Sequence, residues 1–215
     1  MDKQFSKEEV AEKVLEQYDE EQTRIFYTYV MGGGGNDIHF GIYRDPTDGV
    51  KESANRTTEW MMTQMDMAKE ITKDMHVLDV GSGHGGGSHA MAKKFGCKVT
   101  GINIGPGQNA MNVAKAKELG LGHLIDAVVG NINEPLPEEW TGKFDAIWSC
   151  EVLCHAGDKL ALFKDLYRCL KPGGVFVFSD ICGADGADEK ALKAFTDRNA
   201  TTFMGRPSQY IQDVK

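Results

Sequence analysis

The chain has 215 residues, 41% of them apolar and 26% charged, with a net charge of −8, which is long enough for one domain, or one domain with an appendage, around a real core. No cluster of Lys and Arg offsets the acidic balance, which argues against nucleic acid as a partner. No run approaches the roughly 20 apolar residues needed to span a bilayer, and the charged start "MDKQFSKEEVAEKVLEQYDEEQTR" lacks the apolar segment of a signal peptide, so a cytoplasmic protein away from membranes is expected.

Residues 6–30 carry apolar positions at helical spacing (Val10, Val14, Leu15, Tyr18, Ile25, Phe26, Tyr29), after Ser6 with Glu9 three residues later. That pair reads as a capping box. A loop with four consecutive glycines, Gly32–Gly35, follows in "MGGGGNDIHFGIYRDPTDG". Residues 51–73, rich in Met, Glu, Thr and Ala, read as helix again. Four glycines in a row resist any single conformation on entropy grounds, so Gly32–Gly35 is expected to be a hinge.

From residue 76 the texture changes. "HVLDV", "CKVTGINI", "IDAVVGNI", "FDAIWSC" and "GVFVFSDI" are short runs rich in Val, Ile and Phe, separated by helix-like segments at about 86–96, 106–119 and 157–170. Strands alternating with helices predict an α/β fold, a Rossmann-like doubly wound, mostly parallel sheet with helices on both faces. Such sheets bind ligands at the carboxyl ends of their strands. The five cysteines form no CxxC pair and sit mostly in apolar runs, as reduced core thiols do. Cys150 and Cys154 are four apart and His84 and His89 five apart, but neither pair has a second pair to complete a tetrahedron, so no metal is expected.

The first strand runs into "VLDVGSGHGGGSHAMA", with five glycines in the seven positions 81–87. Gly81-x-Gly83-x-x-Gly86 fits the dinucleotide fingerprint. Asp79-x-Gly81-x-Gly83-x-Gly85 fits the loop that holds S-adenosylmethionine. Both need glycine for one reason: the chain leaves a strand, passes close under a ligand and enters a helix. Asp79 discriminates. A carboxylate in that turn repels an anionic pyrophosphate and attracts a ligand carrying a sulfonium and an ammonium. The second strand ends at Asn103, where a nicotinamide site wants Asp or Glu for the ribose. Asn103 is still able to hydrogen-bond a ribose diol.

"LDVGSGHG", "FDAIWSCEVLCHAGD" and "LKPGGVFVFSD", in this order, resemble class I S-adenosylmethionine-dependent methyltransferases over residues about 76–180. "YVMGGGGNDIHFGIYRDPTD" followed by "ANRTTEW" resembles, more narrowly, the sarcosine/dimethylglycine N-methyltransferases that make glycine betaine. The resemblance implies S-adenosylmethionine as cofactor, S-adenosylhomocysteine as product and a small-molecule amine as substrate. It implies cofactor contacts from Asp79, Gly81, Ser82, Gly83 and Gly85 in the loop, and from Asn103, Ile104 and Gln108 after the second strand. Asn131 would face the adenine amino group, with Ile132 covering the ring, and Ser149 would lie at the end of the fourth strand. His155 would stand near the methyl group.

Residues 1–73 would be a helical lid and residues 74–215 the cofactor-binding core, with a lid Tyr, Tyr27 or Tyr43, reaching the methionine end. The family's sheet has seven strands with an antiparallel last one. Five are counted here, so the C-terminal strands are expected to be missing from this chain. Three functions stand at this point: a small-amine N-methyltransferase, a phosphobase or lipid-type (C- or N-) methyltransferase, and an inactive cofactor-binding module.

Overall fold

A computed structural model of the chain describes residues 6–198, 201 and 204–214. Five strands, β1 (His76–Val80), β2 (Lys98–Asn103), β3 (Ile125–Val129), β4 (Phe144–Cys150) and β5 (Leu170–Ser179), form one sheet in the order β3-β2-β1-β4-β5. Every pairing is parallel. Strand order reverses between β1 and β4, so the loops after these two strands flank the crevice where such sheets bind ligands.

Period-2 alternation sorts the strand residues into two cores. Leu78, Val80 and Ile147 face one side with Leu153, Phe163 and Leu166. Val77, Val99, Ala146 and Trp148 face the other with Met91, Cys97 and three methionines, Met61, Met62 and Met65. Because both faces are covered, the strands read as nearly continuous apolar runs. Helices α4 (Gly86–Phe95), α5 (Pro106–Glu118) and α6 (Lys159–Cys169) are the crossovers, within two residues of the predicted spans. All five cysteines are free thiols, and among the described residues no helix is long and apolar enough to cross a membrane.

Three expectations are adjusted. First, the periodic stretch 6–30 is not one helix. It divides into α1 (Lys7–Tyr18), α2 (Glu21–Phe26) and a π-helical turn, Tyr27–Met31. The capping box forms as read, with Ser6 and Glu9 exchanging backbone hydrogen bonds. The break falls at Asp19, whose carboxylate accepts from the amides of Gly107 (3.2 Å) and Gln108 (2.8 Å). Capping α5 from 88 residues away overrides local helix periodicity.

Second, α3 (Val50–Ala68) packs its methionines into the sheet's core rather than standing apart with a lid. Asp66 accepts from the amide of Ile71 and turns the chain toward β1. Third, β5 begins at Leu170, ahead of the run "GVFVFSDI", so Pro172, Gly173 and Gly174 belong to the strand, which pairs with β4 through a register irregularity near Phe144. Two further helices follow the sheet, α7 (Glu189–Arg198) and α8 (Pro207–Asp213), the second opening on Pro207.

Candidate cofactor and acceptor site

At the carboxyl ends of β1, β2 and β4 lies a cavity of about 420 Å³. Its floor is the glycine loop and strand ends; its roof comes from α1, the π-helical turn and residues 36–40. Asp79, Gly81, Ser82, Gly83, Asn103, Ile104, Gln108, Asn131, Ile132, His155 and Tyr27 all line it. The structure thus gathers around one cavity eleven of the residues singled out from the sequence.

Three others are not brought there. Gly85 stands behind the wall as the left-handed cap of α4, where a Cβ would meet the Asn112 carboxamide at 2.2 Å. Ser149 is fully buried between strands and donates its hydroxyl to the carbonyl of Val80. Tyr43 is half exposed and is not among the residues that line the cavity. Of the two lid tyrosines, only Tyr27 reaches the chamber.

Asp79 is buried on the central strand between Gly101 and Trp148 and accepts from the Ser88 hydroxyl at 2.5 Å. Burial pushes its pKa up to about 6, against the pull of the Ser88 hydrogen bond. Two polar groups on the cavity wall have no hydrogen-bond partner among the described residues: the Ser82 hydroxyl and the Gln108 amide nitrogen. Asn103 is held in place by donating to the Gln108 side-chain oxygen at 2.9 Å. Buried polar atoms without partners on a cavity wall are costly unless a ligand satisfies them. A carboxylate for an ammonium, amide and hydroxyl groups for a ribose, and apolar Ile102, Ile104 and Ile132 for a purine suit adenosylmethionine.

Asp79→Asn is therefore expected to act in opposite directions on stability and binding. The carboxyl's folded pKa lies above its unfolded value of 3.8, so stability falls as pH rises from that value through about 6 and the whole penalty is present above it. Asn removes the penalty, on the order of 1–3 kcal/mol. The empty variant should melt higher than wild type at pH 8, with the gap closing toward pH 4. Its Kd for adenosylhomocysteine should rise about tenfold through loss of the charge pair. Melting scans with and without ligand read both effects.

At the other end of the chamber, β4 runs out into Glu151, the one non-glycine described residue with positive φ (+56°). Its carboxylate accepts from the Phe40 amide at 3.0 Å and ties the roof to the floor. His155 follows in a tight 3₁₀ turn, Leu153–His155. Asn133 pins that turn, donating to the His155 carbonyl at 3.1 Å and accepting from Gly157 at 2.7 Å. Tyr18 of α1 reaches down so that its hydroxyl lies 3.4 Å from His155 Nε2. Its ring packs on Tyr27 with centroids 4.7 Å apart, and Gln17 donates to the Tyr27 hydroxyl at 2.9 Å. Burial pushes the Tyr18 phenol well above its usual range, so it remains protonated.

Sequence reading had placed Tyr18 in the core face of its helix and passed over His39. His39 lies 3.5 Å from Asp37 and 3.0 Å from the Thr58 hydroxyl. Burial works against its charge, but the hydrogen bonds to Asp37 and Cys150 outweigh it and raise its pKa to about 11. The sequence does hold one signal for this cluster, the glycine at 86. A Cβ there would stand 2.1 Å from Asp37, so the 36–38 segment closes down on α4 only over glycine.

A family model described as a methyltransferase domain matches residues 78–178. A sarcosine/dimethylglycine N-methyltransferase of Halorhodospira halochloris is 32% identical over 208 residues, 97% of this chain and 72% of that protein. A glycine/sarcosine/dimethylglycine N-methyltransferase of Actinopolyspora halophila is 32% identical over 92% of this chain, which spans 34% of its length. Among solved structures, a protein of Galdieria sulphuraria proposed to be a sarcosine dimethylglycine methyltransferase superposes with a TM-score of 0.81. It is 32% identical, over 89% of this chain and 71% of that one.

Proposed function

The chain belongs to the S-adenosylmethionine-dependent methyltransferases that include the sarcosine/dimethylglycine enzymes, and from that premise we propose that it methylates the nitrogen of a small amino acid such as sarcosine or dimethylglycine. The observation that carries the reading is the His155–Tyr18–Tyr27 cluster, which lines the same chamber as the glycine loop. The site takes S-adenosylmethionine. Within it we assign Asp79 to the methionine ammonium, Asn103 and Gln108 to the ribose, and Asn131 with Ile132 to the adenine.

When bound, the cofactor supplies a methyl group already activated on a sulfonium, so the protein's task is alignment and exclusion of water. Alignment alone is worth roughly 7–11 kcal/mol. His155 and Tyr27 hold the amine on the line of attack; Tyr18 orients His155 through its hydroxyl. Val10, Val14, Phe26, Met31 and Ile181 keep water out of the chamber. The amine must be neutral to attack. A tertiary amine ends as a quaternary ammonium with no proton to lose, whereas a secondary amine leaves one for His155 Nε2 to accept. The rings of Tyr18 and Tyr27 attract methylated cations, at roughly 0.5–2 kcal/mol each. We place the reaction in the cytoplasm, on a small molecule, without nucleic acid or membrane; the acidic balance and free thiols support this.

Turnover of methyl-labelled cofactor against glycine, sarcosine, dimethylglycine, phosphoethanolamine and a phospholipid tests the reading. Label in sarcosine or dimethylglycine supports it. Transfer only to the phosphobase or lipid would move the chain to that branch, and binding without any transfer would leave a cofactor-binding module.

We further propose that residues up to about 43 are the lid. The glycine run is not slack. Gly34 and Gly35 donate to the carbonyls of Thr28 and Gly32 at 2.7 and 2.8 Å, closing a turn behind the π-helical segment. Gly33 and Gly34 both have positive φ. Such a turn can serve as a hinge that seals a site against water. Protease cleavage near residue 34 should slow at least fivefold with saturating adenosylhomocysteine, and Tyr27→Ala should lose that protection. Equal cleavage with and without ligand would remove the lid.

A further inference from the structure

Resting on the amino-acid reading above, we infer that Arg198 is the specificity residue of the acceptor subsite and receives the acceptor's carboxylate. An amino-acid acceptor brings an anion into a largely apolar chamber, where an unpaired carboxylate is costly. Among the described residues, Arg198 is the only Arg or Lys that lines the cavity, and it has no ion-pair partner among them. The other group held positive there, His39, is already paired with Asp37 beside the glycine loop.

The fold sets Arg198 at the acceptor end. It lies in the last turn of α7, three residues after Phe195, so the two share a helix face; both line the cavity. Three residues further on, the Thr201 hydroxyl donates to the Cys154 carbonyl, which fastens Thr201 beside the His155 turn. The arginine thus stands at the mouth of the half that holds His155 and Tyr18. A guanidinium presents parallel donors that match a carboxylate, fixing the orientation of the amine as well as its affinity. The anion is unavailable to neutral amines, so the contact selects amino acids from amino alcohols of the same size.

The test uses the full chain and two acceptors, dimethylglycine and N,N-dimethylethanolamine, with phosphodimethylethanolamine as a third arm. For Arg198→Gln, the KM for dimethylglycine should rise about 10- to 100-fold with kcat within about threefold. The KM for dimethylethanolamine should stay put, as should the Kd for adenosylhomocysteine. Arg198→Lys should restore part of the loss, because it keeps the charge but not the fork. An equal KM rise for both acceptors, an unchanged KM for dimethylglycine, or lost adenosylhomocysteine binding would overturn the inference while the function stands. Better turnover of the phosphorylated arm than of dimethylglycine by wild type would overturn the carboxylate assignment. Wild-type protein that fails to methylate dimethylglycine would sink the amino-acid reading and the inference with it.

Discussion

Gly81→Val is expected to abolish cofactor binding, raising the Kd for adenosylhomocysteine at least 100-fold, about 2.7 kcal/mol or more. From the sequence, the glycine was expected to be needed because a side chain would enter ligand space. The structure gives a different reason. A Cβ at Gly81 would stand 2.3, 2.5 and 2.9 Å from three side-chain atoms of Val152, well inside van der Waals contact, and the residue has φ +72°. A β-branched residue is strained in that region whatever its surroundings. Relief requires either the loop or the 151–155 segment to move, and both are walls of the cavity. Two further variants separate the causes. Gly81→Ala should lose less binding than Val, and adding Val152→Ala should recover part of that loss by removing the two nearest atoms. Near-UV circular dichroism tells a displaced loop from an unfolded chain. Wild-type affinity in Gly81→Val would show that the loop lies away from the ligand.

His155→Ala is expected to lower kcat by about 10²-fold, the cost of misplacing a reactant by about 1 Å. Its Kd for adenosylhomocysteine should change by less than about threefold. The separation follows from placement: His155 belongs to the turn beyond β4, with Tyr18 of α1 against it, while the glycine loop follows β1. Tyr18→Phe should give a smaller loss, about tenfold, because it deletes the hydroxyl 3.4 Å from Nε2 and keeps the ring stacked on Tyr27. If His155→Ala bound the cofactor poorly and turned over normally, the imidazole would belong to the cofactor's wall rather than the acceptor's. Single-turnover kinetics with saturating cofactor makes the distinction.

The sheet was legible from residue 76 onward because each strand is buried on two faces and so reads as an apolar run between helical periods. That Asp79, Asn103 and Asn131 line the cavity was legible for a related reason: such sheets bind ligands at the carboxyl ends of their strands, and these residues lie at or just past the ends of β1, β2 and β3. What escaped was contributed by tertiary contact. Tyr18 is an ordinary apolar-face position of α1 until the chain breaks at Asp19 to cap α5, which carries the helix over the chamber. His39 has no metal-like spacing; its partners Asp37, Thr58 and Cys150 come from three separate segments. Tyr43 and Ser149 were misjudged in opposite ways. One hydroxyl is spent on a neighbouring strand, and the other residue is half exposed, one position past Ile42, whose amide donates to the Ser53 carbonyl. Glycine spacing alone did not separate the ligand wall from its support, since Gly83 touches the cavity and Gly85 backs it.

Carbon-13 NMR of the protein incubated with dimethylglycine and cofactor labelled at the transferable methyl is the most direct test of the account. The label should leave the sulfonium resonance and appear on a quaternary nitrogen, one methyl per adenosylhomocysteine formed, with the signal about 100-fold slower to build in His155→Ala. Label that stays on the cofactor, or that appears on carbon or oxygen of another acceptor while dimethylglycine is untouched, would contradict amine methylation at this site.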